Sequence, residues 1–170
     1  RVIDSIFRED HAECEQNPIA VALSALAKDC TKRGESDSAS IISFRALQHY
    51  DTTCTDGWSD FGVAQYMTGQ YSAAAKSYQR AILLDSTNYR AMNNLAMFYL
   101  RLDSPLAALP LCEKALQVQP RYANALHGKA LALAYLYDTV AACESLQLLL
   151  ALGPLTEDAR QLHDSLCRQE

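Results

Sequence analysis

Four histidines and six cysteines are the residues of this chain best able to hold a metal or act as nucleophiles. Their spacing supports neither role. His11, His49, His127 and His163 are isolated from one another, and with the cysteines they build no set at metal-ligand spacing, whereas zinc sites gather their ligands at short, defined intervals. Cys14, Cys30, Cys54, Cys112, Cys143 and Cys167 include no C-x-x-C pair. The sequence has no phosphate-cradling P-loop, no glycine-rich dinucleotide turn and no G-x-S-x-G elbow. Aspartates and glutamates fall mostly in predicted turns and on helix faces, where water solvates them. The expectation is a non-catalytic chain that needs no metal or cofactor.

Binding is the chemistry left to such a chain. A net charge of −5 without a run of lysine or arginine argues against nucleic acid, because phosphate backbones demand a basic surface. The chain is 49% hydrophobic and 21% charged, a balance that supports a folded domain rather than a disordered one. Its most apolar piece, Leu146 to Leu155, is too short for a bilayer, so no direct membrane insertion is expected. Scattered cysteines without a framework fit reduced thiols, with Cys112 and Cys143 as small apolar residues on predicted helices. A cytoplasmic location follows as an expectation. The chain opens on Arg1 rather than Met, as a fragment or processed form would, so a targeting sequence could have been removed.

The elements that would position a binding surface repeat. Trp58, Met92 and Leu126 stand 34 residues apart, as do Gly62, Ala96 and Ala130. The same step links Ala74, Ala108 and Ala142, then Tyr78, Cys112 and Leu146, then Ala81, Ala115 and Leu149, then Ser86, Pro120 and Pro154. Helical punctuation lies between these columns. Gly69-Gln70, Asp103-Ser104-Pro105 and Asp138-Thr139 read as turns, with Ser104 as a cap, and Gly153-Pro154 closes the series. Pro110 removes one backbone bond and predicts a local kink.

A fixed period of 34 residues with these residue types resembles the tetratricopeptide repeat, a helix–turn–helix unit. The first unit reads Trp58, Phe61, Gly62, Gly69, Tyr71, Ala74, Tyr78, Ala81; the second Met92, Leu95, Ala96, Tyr99, Ala108, Cys112, Ala115, Pro120. The third, with Leu126, Ala130, Leu133, Ala142, Leu146, Leu149 and Pro154, carries Lys129 where the pattern has leucine. The resemblance implies an all-α, right-handed superhelix of hairpins whose small-residue columns face each other across each hairpin. Repeats are expected at 55–88, 89–122 and 123–154.

Outside them, residues 17–54 read as a degenerate hairpin that opens at Asn17-Pro18, stops at Gly34 and resumes after an Asp37 or Ser38 cap. Ala39, Ile42, Phe44 and Leu47 lie on its second helix. Residues 1–16 read as an extension or short amphipathic helix with Val2, Ile3, Ile6 and Phe7 on one side. Residues 155–170 read as a capping helix, of the kind that terminates a solenoid with a polar outer face.

In the family, the first helices of successive units line a concave surface. Carried onto this sequence, that surface comprises Ser59, Val63, Tyr66 and Met67 from the first unit and Arg90, Asn93, Asn94, Met97 and Arg101 from the second. Asn124, His127, Leu131 and Tyr135 complete it from the third. Methionine and aromatic side chains supply adaptable apolar contact, and a few polar groups orient a ligand. The clamp with which co-chaperone repeats grip a terminal carboxylate is not expected. Ser59, Val63, Asn124 and Gly128 occupy its cationic and amide places, and only Asn94 matches.

The expected function is therefore an adaptor or scaffold that holds a partner peptide or helix in its concave groove. Two alternatives are a structural segment that self-associates through its terminal helices, and a substrate-recruiting domain of a larger enzyme.

Overall fold

The computed structural model describes residues 18–35, 38, 41–45 and 54–167. The segment expected to be amphipathic at 1–16, Asn17, Asp37, Ala39 and Leu47 lie outside the described residues. All regular structure among the described residues is helical: α1 (Pro18–Lys32), α2 (Thr55–Met67), α3 (Tyr71–Leu84), α4 (Tyr89–Arg101), α5 (Pro105–Val118), α6 (Ala123–Tyr135), α7 (Thr139–Leu150) and α8 (Glu157–Leu166). Residues 41–45 are helical as well. The chain divides into two compact units, residues 1–91 and 92–170.

In the first unit, α2 and α3 form an antiparallel hairpin that approaches closely at Gly62. A Cβ there would stand 2.6 Å from Cε1 of Tyr78 and 3.2 Å from the Ala74 carbonyl oxygen, so only hydrogen fits. Tyr78 is thereby buried, and burial pushes its phenol well above the ordinary value. Behind it the buried Ser77 hydroxyl donates to Gln65 Oε1 at 2.6 Å, which satisfies two polar groups in one contact.

Asn88 ties the start of α4 to the start of α2. Its side-chain oxygen accepts from the Ala91 N–H at 2.9 Å, and its amide donates to Thr55 Oγ1 at 3.3 Å. Asp60 on α2 pairs with Lys28 of α1 at 2.8 Å and with Arg90 at 3.6 Å. Gly34 terminates α1 at φ +80, where the sequence places the stop.

In the second unit the same columns pack with different sizes. Ala96 and Cys112 share a core with Leu100, Ala108 and Ala132, while Ala130 and Leu146 share another with Ala159. Where the first hairpin pairs glycine with tyrosine, the later ones pair alanine with cysteine or leucine. α5 runs unbroken from Pro105 to Val118 with Pro110 inside it. Ser104 occupies the N-cap position but makes no side-chain cap bond, because its hydroxyl donates to the Leu102 carbonyl instead. α7 and α8 are capped conventionally, by Asp138 accepting from Ala141 N–H and Thr156 accepting from Ala159 N–H. α8 begins two residues later than the sequence suggests, and Leu155 packs against the core ahead of it.

One backbone feature recurs at the turns from α2 to α3, α4 to α5 and α6 to α7. Gly69, Asp103 and Tyr137, each 34 residues from the next, have φ of +79, +53 and +61. After each, the next residue's N–H closes onto the helix five residues back, Gln70 to Gln65, Ser104 to Tyr99 and Asp138 to Leu133, at 2.8, 2.9 and 3.0 Å. This left-handed closure is inexpensive for glycine and strained for tyrosine.

The cysteines depart from the expectation. Cys143 is not a free apolar residue: it forms a disulfide with Cys167, and Cys54 is disulfide-bonded too. The reduced state inferred from their scatter is corrected for these sulfurs. The α7–α8 hairpin brings the Cα atoms of Cys143 and Cys167 to 5.6 Å, a separation that linear spacing does not reveal. Cys30 and Cys112 are free and buried. No described helix is long and apolar enough to cross a membrane.

Candidate binding surface

The residues singled out for the concave surface fall into three groups. Ser59 and Asn93 are buried, at 1% and 3% exposure, and cannot meet a ligand as placed. Together with His127 they occupy one repeat column, and each carries a buried polar atom without a hydrogen-bond partner among the described residues: Ser59 Oγ, Asn93 Oδ1 and His127 Nε2. Burial lowers the His127 pKa from its ordinary 6.5, and Asp158 on α8 offsets part of that shift. His127 is thus neutral at physiological pH.

Met97 and Leu131 form a second group. Both are half-buried and pack against the Ala96–Cys112 core, and the Met97 sulfur lies 3.5 Å from where a Cβ on Gly128 would be. Cys112 is closer still, at 3.0 Å, so Gly128 lets α6 pack against α5. Burial, with a smaller push from Glu113, drives the Cys112 thiol up to about 12 and leaves it inert.

The third group is accessible. Arg101 and Asn124 are exposed, Tyr135 is 53% exposed, and Asn94 is half-buried. Asn124 donates to the Tyr122 hydroxyl at 3.3 Å. Arg101 and Tyr135 end α4 and α6 at equivalent repeat positions, as Met97 and Leu131 do one turn earlier. The second unit therefore offers two successive repeats of an apolar position followed by an accessible one. In the first unit, Val63 and Tyr66 are half-buried, Met67 is exposed, and Arg90 is exposed but engaged by Asp60. The Tyr66 ring meets Tyr71 edge-on at 5.1 Å.

Sequence reasoning missed the Asp60 ion pairs and the Cys143–Cys167 bond. The first had no positional signal, since Asp60 and Arg90 fall at different repeat positions. The second had none either.

No protein-family model matches the sequence, and no curated protein matches it. Solved structures do. The TPR domain of Arabidopsis OM64 is 23% identical, with 68% of this chain and 96% of that one covered at a TM-score of 0.64. The second TPR domain of human RPAP3, solved with the HSP70 peptide SGPTIEEVD, is 24% identical, with coverages of 66% and 93% and a TM-score of 0.60. A MamA RS-1 ArsTM double mutant is 19% identical, with coverages of 88% and 83% and a TM-score of 0.71. At these identities the likeness is one of fold, and the chain adopts the helical-hairpin fold of the tetratricopeptide repeat.

Proposed function

We propose that the chain is a non-catalytic protein-interaction module, and that the face built from α4 and α6 in residues 92–170 receives a short segment of partner polypeptide. The observation that carries this reading is the repeated pairing of a half-buried apolar side chain with an accessible anchor, Met97 with Arg101 and Leu131 with Tyr135. Arginine and tyrosine are residues that concentrate binding energy at protein interfaces, and methionine adapts to varied apolar partners. Asn94 supplies both a donor and an acceptor to a ligand backbone. That a similar RPAP3 domain was solved with a peptide supports a peptide as the ligand class. Ser59, Val63, Asn124 and Gly128 at the clamp positions speak against a heat-shock terminal carboxylate as the occupant.

Selection of displayed peptides on the immobilised chain, followed by affinity measurement, tests the proposal. Arg101→Glu or Tyr135→Ala should weaken the selected peptides about tenfold or more while leaving the helical circular dichroism intact. Unchanged affinity in both variants would count against this face.

Self-association through the terminal helices finds less support. The apolar side of α8 is already turned onto Ala130 and Leu146, and Ile3 and Phe7 lie outside the described residues. A mass that stays monomeric across concentration separates the two readings. The disulfides favour an oxidising compartment over the cytoplasm, which disulfide mapping of the protein from its native source checks.

A further inference from the structure

Between α7 and α8 lies a cavity of about 410 Å³, and both sulfur-bearing residues of the Cys143–Cys167 disulfide stand in its wall. Thr139, Glu144, Gln147 and Leu166 line the rest with Val140. A cavity of that size admits a small organic molecule. Both cysteines are half-buried rather than sealed in the core. The bond joins α7 near its start to the residue that follows α8, so it fastens the hairpin at the end opposite the 151–156 turn.

Among the described residues, little else holds that end. α8 is 10 residues long, too short to persist alone in water. Its apolar contact is the narrow stripe of Ala159 and Leu162, with Leu155 ahead of it, on Ala130, Leu146 and Leu149. Glu157, Asp158, Arg160 and Gln161 are exposed. The free thiol of this unit, Cys112, is fully buried and takes no part in exchange.

We propose that the Cys143–Cys167 disulfide is a thiol-exchange site, entered through this cavity by a small cationic thiol, and that its opening releases α8 from the end of the second unit. The attacking thiolate forms a bond to Cys167 Sγ as the Cys143–Cys167 bond breaks, and Cys143 leaves as thiolate and takes a proton. Cys167 is the attacked sulfur because it ends α8, where the helix dipole disfavours a thiolate and so makes it the poorer leaving group. A second thiol then attacks the small-thiol sulfur of the mixed disulfide, which returns Cys167 as a thiol; the two small thiols have given two electrons to the protein and leave joined as their own disulfide. Glu144 is the charged member of the described wall and selects an ammonium-bearing thiol over a carboxylate-bearing one. Opening uncovers Leu146 and Leu149, which α8 otherwise covers.

The test treats the full chain, without denaturant, with cysteamine or with thioglycolate. Peptide mass mapping follows the adduct, and amide hydrogen exchange follows residues 157–166. The expected result is an adduct on Cys167, formed severalfold faster with cysteamine, and a large acceleration of exchange confined to α8. The Cys143→Ser, Cys167→Ser double variant should show the same fast exchange with no thiol added. If that variant fails to fold by circular dichroism, the chemical treatment of the unmodified chain still decides. A disulfide that opens only in denaturant, or α8 amides that stay equally protected after opening, would overturn the proposal. Equal rates for the two thiols would overturn the cationic class.

Discussion

Gly62 and Tyr78 are a size-compensated pair, since a methyl group on Gly62 would meet the tyrosine ring at 2.6 Å. Interiors at crystal-like density leave no slack for such an addition. Gly62→Ala should therefore destabilise the chain by about 1–3 kcal/mol, despite alanine's better helix propensity. Adding Tyr78→Leu, which reproduces the alanine–leucine pairing of Ala130 and Leu146, should recover part of that loss. Urea unfolding of the two single variants and the double variant measures the coupling, and strict additivity would contradict the pairing.

Two buried serines should respond to alanine in opposite directions. Ser77 donates to Gln65 at 2.6 Å, and removing it strands a buried amide. Ser77→Ala should cost about 1–3 kcal/mol. Ser59 is buried without a partner among the described residues. Ser59→Ala should leave stability unchanged or raise it by roughly 1 kcal/mol. Thermal melts of both variants read the contrast directly.

Tyr137 adopts φ +61 while its side chain is 90% exposed. The backbone strain therefore comes without compensating side-chain burial. Tyr137→Gly should stabilise the chain by about 0.5–1 kcal/mol, the left-handed penalty less the added freedom of glycine in the unfolded state. Asp103→Gly should gain less, because aspartate tolerates that region better. A loss of stability in Tyr137→Gly would show that the ring does more than its exposure suggests.

His127 gives the second unit a pH response of predictable sign. Burial holds its folded-state pKa below the ordinary 6.5, so the unfolded chain binds the proton more tightly. The contribution is fully present above 6.5 and is lost as the pH falls below it, down to the depressed folded value. Denaturant midpoints should decline across that mildly acidic range, and His127→Leu should flatten the decline.

The hairpins were legible in the sequence because their turns are written in backbone chemistry. Gly69, Asp103-Ser104-Pro105 and Asp138 each mark a place where the helix closes on itself, and the structure turns there. The small-residue columns were equally legible, because close approach leaves few residue types that fit. The surface was less so. A repeat position defines a direction in an ideal superhelix, yet the short side chains of Ser59 and Asn93 end inside the packing layer, while the longer Arg101 reaches water. The Cys143–Cys167 bond was invisible because it depends on where α8 folds back against α7, which linear spacing does not encode. Ser104 misled for a local reason, its hydroxyl preferring the Leu102 carbonyl to the helix it precedes.

The unequal partners across the three hairpins also bear on how such a chain can be rebuilt. A segment bearing Tyr78 cannot be transplanted opposite Ala96 or Ala130 without collision, and one bearing Leu146 would leave a void beside Gly62. Each hairpin is keyed to its own two halves, so lengthening this array by duplication requires copying whole 34-residue blocks, cut between hairpins rather than within them.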